Sequence, residues 1–335
     1  MEFFRNVNIN WMGWTKYFVS LSLLLLAIGW FSVFRHHGLD YGIDFRGGTL
    51  IDVRFPSKPP IDKIRTGLAD AGLANSTIKS IGSQLDPTSA NDIEIGLEQR
   101  GESDLDADRQ AVVNVLDNTL GAGNAGPGAS SVAPFTIRSV DTVGPTVGTQ
   151  LRHQAIWATL YALMGMLVYI AFRFEWVYGA AAVIAVFHDV LITLGFFSLF
   201  HYEISLTVIA ALLTLVGYSM NDTIVIFDRV RENLKLMRRE PFPEIVNRSI
   251  NQTLSRTILT SGLTLLTVLV LYLMGGAVLR AFSFAMVVGV VVGTYSSFGI
   301  AAPIVIAWNK YHGGQGAAVR AGSAADKRVP AVARR

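Results

Sequence analysis

Asp222 stands inside an otherwise apolar run, residues 206–232, LTVIAALLTLVGYSMNDTIVIFDRVRE. A carboxylate at the centre of a membrane helix costs about 2.5 to 3.5 kcal/mol to insert, so a chain that keeps one there needs a functional or a packing reason for it. Proton transfer is the chemistry such a group can do. Asp189 presents the same anomaly in VIAVFHDVLIT, where it follows His188. Arg256 opens a later apolar run, and Thr260 and Thr264 follow it at i+4 and i+8, which puts the three on one helical stripe. Asn221 and Tyr218 lie beside Asp222 on its own helix. Burial favours the neutral carboxyl and a neighbouring guanidinium favours the ionised one, so two carboxylates and one arginine bordering a bundle can switch protonation with small rearrangements. The same residues also fit packing roles. Asp222 and Asp189 can be satisfied by neighbouring helices, and Arg256 can snorkel to the headgroups. The coupling ion is open as well, since hydroxyls such as Ser219 and Thr223 near a carboxylate suit sodium as well as a proton.

The elements that must hold these groups are membrane helices. Of the 335 residues 51% are hydrophobic and only 16% charged, and the mean hydropathy is +0.41, far from the roughly 25% charged share of soluble domains. Apolar runs predict six transmembrane helices at 17–34, 156–172, 176–200, 204–227, 258–279 and 282–308. The first, preceded by Arg5 and Lys16, resembles a signal sequence, but its length and its bulky Trp30, Phe31 and Phe34 predict an uncleaved span. A basic loop at 228–256, with Arg229, Arg231, Lys235, Arg238, Arg239 and Arg248, predicts a cytoplasmic side for that loop and, by counting crossings, for the N-terminal segment 1–16 and the tail 312–335. The glycines Gly289, Gly293, Gly299, Gly275 and Gly276 predict close helix contacts.

Residues 39–150 hold 9 Lys/Arg against 15 Asp/Glu, so this acidic insert belongs on the opposite, periplasmic side of an inner membrane, and phosphate-rich partners such as nucleic acid are excluded. Strand patterns at 49–55, 77–81, 92–97 and 135–143 and helical patterns at 61–71 and 107–120 give the order βαββαβ, a ferredoxin-like α+β domain. The Gly-rich stretch 121–128 reads as a surface loop, and the low-complexity tail 312–335 as disordered. With no cysteine, six scattered histidines and no phosphate-binding loop, neither metal, thiol nor nucleotide chemistry is expected, and no cofactor beyond an ion gradient.

Four groups of residues together resemble the SecF family, the smaller membrane subunits of the SecD and SecF protein-export complex, which are related to resistance-nodulation-division transporters. They are Gly42-Ile43-Asp44-Phe45-Arg46-Gly47-Gly48-Thr49; Val143-Gly144-Pro145 with Val147-Gly148; Gly217-Tyr218-Ser219-Met220-Asn221-Asp222-Thr223 running into Phe227-Asp228-Arg229-Val230-Arg231-Glu232; and Asn251-Gln252-Thr253-Leu254-Ser255-Arg256-Thr257 with Thr260-Ser261-Gly262. The likeness runs from about residue 5 to 310. It implies a SecD partner with a homologous six-helix half, and use of the proton-motive force to help exported polypeptides cross after the SecA ATPase and the SecYEG channel have begun the work. YajC and YidC are further implied partners, and the lipid bilayer the setting. By the same resemblance Asp222 matches the family's proton-relay carboxylate and Arg256 the arginine acting with it, with Asp189, in Phe187-His188-Asp189-Val190, as a further candidate. A small-molecule proton antiporter of the same superfamily and a non-transducing assembly scaffold stay open as alternatives. The single insert speaks against the antiporter.

Overall fold

The computed structural model describes residues 8–73, 76–81, 91–97, 105–120, 135–173 and 176–312. The Gly-rich stretch 121–128 and residues 313–335 of the tail lie outside them. Among the described residues, six spans are long and apolar enough to cross a membrane, and one small sheet domain is inserted between the first and the second.

A 3-10 turn at Met12–Trp14 leads into α1 (Thr15–Arg35), the first span. Beyond it come α2 (Ile43–Arg46), β1 (Gly48–Arg54), α3 (Ile61–Asp70), β2 (Thr77–Ser80), β3 (Asp92–Leu97), α4 (Leu105–Leu120) and β4 (Thr136–Val143). The sheet order is β2-β3-β1-β4 with each neighbouring pair antiparallel, the split arrangement that the βαββαβ pattern predicts. Alternation gives the sheet two unlike faces. Ile51, Val53, Ile93 and Ile95 point at α3 and α4 and are fully buried with Ile64, Leu68 and Leu116. The other face carries Asp52, Arg54, Asp92 and Glu94. Register slips after Asp52 and leaves Arg138 as an extra residue on β4. That bulge brings Arg138 within 3.3 Å of Asp92, which Arg54 already grips with two bonds of 2.7 and 2.8 Å.

Pro145 starts α5 (Pro145–Arg173) one residue after β4, so the second span begins outside the apolar window 156–172 and continues the sheet domain with only Gly144 between. Next come α6 (Trp176–Leu199), α7 (Leu206–Leu236) and α8 (Phe242–Met274). The basic segment 228–256 is therefore two helix ends joined at 237–241 rather than a loop. Val230, Asn233, Ile245, Val246, Ser249 and Ile250 are buried at helical spacing and keep the two helices paired past the membrane, while the arginines occupy the outer face. Gly275 and Gly276 are a turn rather than a packing contact: Gly276 has φ +74° and separates α8 from α9 (Gly276–Ser296). The sixth span runs through α9, a π-turn at Ser297–Ala301 and α10 (Ala302–Tyr311), the turn falling just before Pro303, which has no N–H to give.

Close helix packing falls where small residues meet. A Cβ on Gly29 of α1 would lie 2.7 Å from the Cα of Gly195 on α6, and one turn away Ser32 and Ser198 share a 3.0 Å hydrogen bond. Gly289 and Gly293 of α9 receive Leu215 and Ser219 of α7, and Gly299 meets Phe18.

Candidate proton-relay site

Asp222, in the middle of α7, is 4% exposed and accepts a 3.0 Å hydrogen bond from Ser261 Oγ on α8. Arg256 begins the turn before Ser261. Its side chain is exposed and makes neither a hydrogen bond nor an ion pair with Asp222 among the described residues. Thr260 and Thr264, expected to line the same path, bond instead to carbonyls of their own helix, Arg256 O at 3.0 Å and Thr260 O at 2.9 Å. A stripe stepping by four from Arg256 misses Asp222, and the residue one position on, Ser261, faces it. Ser261 stood in the quoted Thr260-Ser261-Gly262 group, and its step from Thr260 was the available signal. Asn221 is exposed on the outer face of α7, and Tyr218 is half-buried with its hydroxyl unpartnered.

The carboxylate of Asp189 has the fuller set of partners. Asp189 is 0% exposed, and its Oδ2 accepts from Ser219 Oγ of α7 at 2.6 Å and from Ser296 Oγ of α9 at 2.8 Å. His188 Nδ1 lies 2.9 Å from Oδ1, although neighbours on a helix seldom face each other. Three helices meet on one carboxylate because Gly293 lacks a side chain: a Cβ there would stand 2.9 Å from Ser219 Cβ. His188 Nε2 is buried without a partner, its ring edge-on to Tyr295, whose hydroxyl is 3.0 Å from Ser22 of α1. Serine 219 therefore serves Asp189 and not Asp222, and the hydroxyl of Thr223 bonds to Ser219 O at 3.2 Å.

At the end of the bundle that carries the sheet domain, residues Gly42 to Gly48 form a joint between the sheet and the helices. Gly42 N–H donates to Ile204 O at 2.9 Å, and Asp44 Oδ2 accepts from Leu206 N–H at 2.8 Å, where it caps the N-terminus of α7 together with Ser205, whose Oγ accepts from Val208 N–H. Phe45 is 6% exposed and packs in the membrane core with Val208 and Ala211. Gly47 (φ +75°) and Gly48 (φ +143°) lie so close to Pro145 Cα and Leu97 O that a Cβ would approach to 2.9 and 2.3 Å. Only glycine fits either position. Arg152 of α5 lies 5.0 Å over the ring of Tyr41. The glycine motif, which falls within the insert by sequence, is therefore the seam between the insert and the helix that bears Asp222.

At the opposite end, the motif Asn251-Gln252 ties three pieces together. Asn251 Oδ1 accepts from Ile9 N–H and Trp11 Nε1–H at 3.1 Å each, and Gln252 Oε1 accepts from Asn233 at 2.8 Å and Arg229 at 2.6 Å.

Comparison with known proteins places this geometry among relatives. The family "Protein export membrane protein SecD/SecF, C-terminal" matches residues 128–311, and the "SecD/SecF GG Motif" matches residues 36–55. Protein translocase subunit SecF of Koribacter versatilis is 42% identical over 98% of each chain, and that of Desulfurispirillum indicum 44% over 90% of this chain and 91% of its own. The crystal structure of SecDF from Thermus thermophilus, described as a translocon-associated membrane protein, superposes with a TM-score of 0.78 at 39% identity, covering 91% of this chain and 39% of that longer one.

Proposed function

The chain belongs to the SecF family of protein-export membrane proteins, a multi-pass accessory subunit of the protein translocase, and we propose that it converts the proton-motive force into movement of its periplasmic domain. The observation that carries this reading is the construction of α7. Asp222 lies near its middle with Ser261 opposite, Ser219 ties it to Asp189, and Asp44 of the glycine motif caps its N-terminus. A proton arriving at either carboxylate changes what hydroxyls and neighbouring charges gain by pointing at it. The helix that must adjust is the one on which the sheet domain is seated. Arg256, exposed one turn from Ser261, supplies the positive charge that returns Asp222 to its ionised form. Hydrolysis plays no part in this scheme, because the driving ion enters from the gradient.

In this reading the termini and the 237–241 connection are cytoplasmic, the sheet domain is periplasmic, and the membrane is the bacterial inner membrane, as the basic and acidic halves of the chain favour. The SecD partner contributes the other half of the assembly, as the fused SecDF relatives suggest, and SecYEG, SecA and the exported polypeptide meet it on the way out. Asp222→Asn tests the relay. Inverted membrane vesicles carrying the variant with SecD should lose gradient-stimulated export while co-purification with SecD is unchanged. Undiminished stimulation by a proton gradient sinks the proposal, and stimulation that follows a sodium gradient instead reassigns the ion.

A further inference from the structure

The polar face of the sheet meets the membrane bundle at a cluster of charges outside the relay. Lys79, on the edge strand β2, forms an ion pair with Glu203 in the connection between α6 and α7. The other Glu203 oxygen lies over the α2 joint, 3.6 Å from where a Cβ on Gly42 would stand. In the sheet register Lys79 is directly opposite Glu94, Glu94 is opposite Asp52, and Asp52 is opposite Ser139, which donates to it at 3.0 Å. Two carboxylates side by side across a ladder repel each other. Here a third, Glu203, arrives from another part of the fold and pairs with the Lys79 ammonium that stands opposite Glu94, while Arg138 acts on Asp52.

We propose that Glu94 is a proton-binding site that operates a clasp between the periplasmic sheet and the α6–α7 connection, closed when Glu94 is neutral and loosened when it is ionised. The proposal stands on the row Lys79, Glu94, Asp52 and on Glu203, and does not depend on Asp222 carrying protons. With Glu94 neutral, Lys79 belongs to Glu203 alone. An ionised Glu94 competes for the ammonium and sets a second negative charge beside Glu203.

The electrostatics agree. Burial pushes the Glu94 carboxyl up to about 7, helped by Glu203 and Asp52, opposed by Lys79, with Asp141 adding a further upward push. Asp52 is also raised, chiefly by burial, with Ser139 and Arg138 opposing and Asp141 and Asp92 reinforcing. The sign follows by linkage. A carboxyl whose pKa is higher in the docked than in the released sheet gives docking its full strength below the released value. That strength is lost as pH rises towards about 7 and is level above it. Glu94 thus senses acidity over the range where an ordinary carboxylate is already fully ionised.

Because the chain has no cysteine, two spin labels can be placed without removing any: one at Arg65→Cys on α3 and one at Leu199→Cys at the end of α6, both exposed. Distances are read on the full chain in lipid vesicles at pH values on either side of about 7. On the acid side one narrow distribution is expected. On the alkaline side the docked-to-released ratio falls by roughly two- to fivefold, the size of a like-charge pair set opposite on a ladder. Glu94→Gln should stay narrow at both values, which also shows that the sheet is intact, and Glu203→Gln should be broad at both. Exchanging the charges, Lys79→Glu with Glu203→Lys, should restore the narrow distribution on the acid side. A wild-type distribution that ignores pH, or a Glu94→Gln chain that still follows it, overturns the clasp.

Discussion

Gly293 sets how closely α7 approaches α9, and Gly293→Ala is the sharpest test of the Asp189 arrangement. An alanine Cβ would lie 2.9 Å from Ser219 Cβ and 3.2 Å from its Oγ. Carbon atoms rest at about 3.5 to 4.0 Å, so the two helices must part there by roughly 0.6 to 1.1 Å. Asp189 now bonds to Ser219 on α7 at 2.6 Å and to Ser296 on α9 at 2.8 Å through the same oxygen. It cannot follow both helices, and one bond stretches past the O–H···O limit of about 3.0 Å. Losing a hydrogen bond at a buried carboxyl group costs about 1 to 3 kcal/mol. Unfolding of the purified chain in mixed micelles should show that loss, and gradient-driven export in vesicles should fall with it. A double-mutant cycle isolates the cause. In a Ser219→Gly background the obstructing Cβ is gone, and Gly293→Ala should cost less than about 0.5 kcal/mol. An equal cost in both backgrounds would show that the glycine serves something other than the seat of Ser219.

Two further perturbations address the joint and the sheet. Asp44→Ala removes the carboxylate that caps α7 at 2.8 Å and should destabilise the start of that helix by about 1 kcal/mol; amide exchange should speed up at Leu206 and stay unchanged at Val230, near the other end of α7. Ile95→Ala opens a cavity beneath a residue that is 0% exposed and should cost about 2 to 5 kcal/mol, seen as protease cleavage of the sheet domain with the membrane spans left whole.

Spans and sheet were legible because each rests on a period that the chain repeats for many residues. The alternation at 92–97 coincides with β3, and the apolar run at 176–200 ends one residue beyond α6. Windows of hydrophobicity bound the apolar spans but not the full helices that carry them. Thus α5 starts at Pro145, before the apolar residues begin, and α7 continues to Leu236 through a charged segment in which Val230 and Asn233 stay buried. The site was half legible. A lone aspartate in an apolar helix is conspicuous, but which hydroxyl answers it depends on the rotation of a second helix, and a shift of one residue turns a helix face by about 100°. That separates Thr260 from Ser261. The glycine motif was visible as residues but not as a joint, since its partners Ile204, Leu206 and Leu97 lie far along the chain.

How a proton held in the membrane moves a domain outside it depends on which helix is stiff. Sixteen residues separate Leu206 from Asp222, or about 24 Å of rise. Helix α7 crosses that distance without proline, and the space beside its Gly217 is open. Its ends are held by side chains, Asp44 at one and Asn233 through Ser249 and Gln252 at the other. Its neighbour differs: the sixth span is interrupted by the π-turn at Ser297–Ala301, directly after Ser296, which binds Asp189. A π-turn holds one residue more than the regular helix and interrupts its hydrogen-bond ladder, an irregularity found often at functional sites. In the proposed relay, a change of charge at Asp189 or Asp222 would be taken up locally by the sixth span at its π-turn, whereas α7 would tilt or slide as a unit. On that proposal, motion at the carboxylates would reach Leu206, Asp44 and the two glycines that admit no slack, and carry the sheet domain with it.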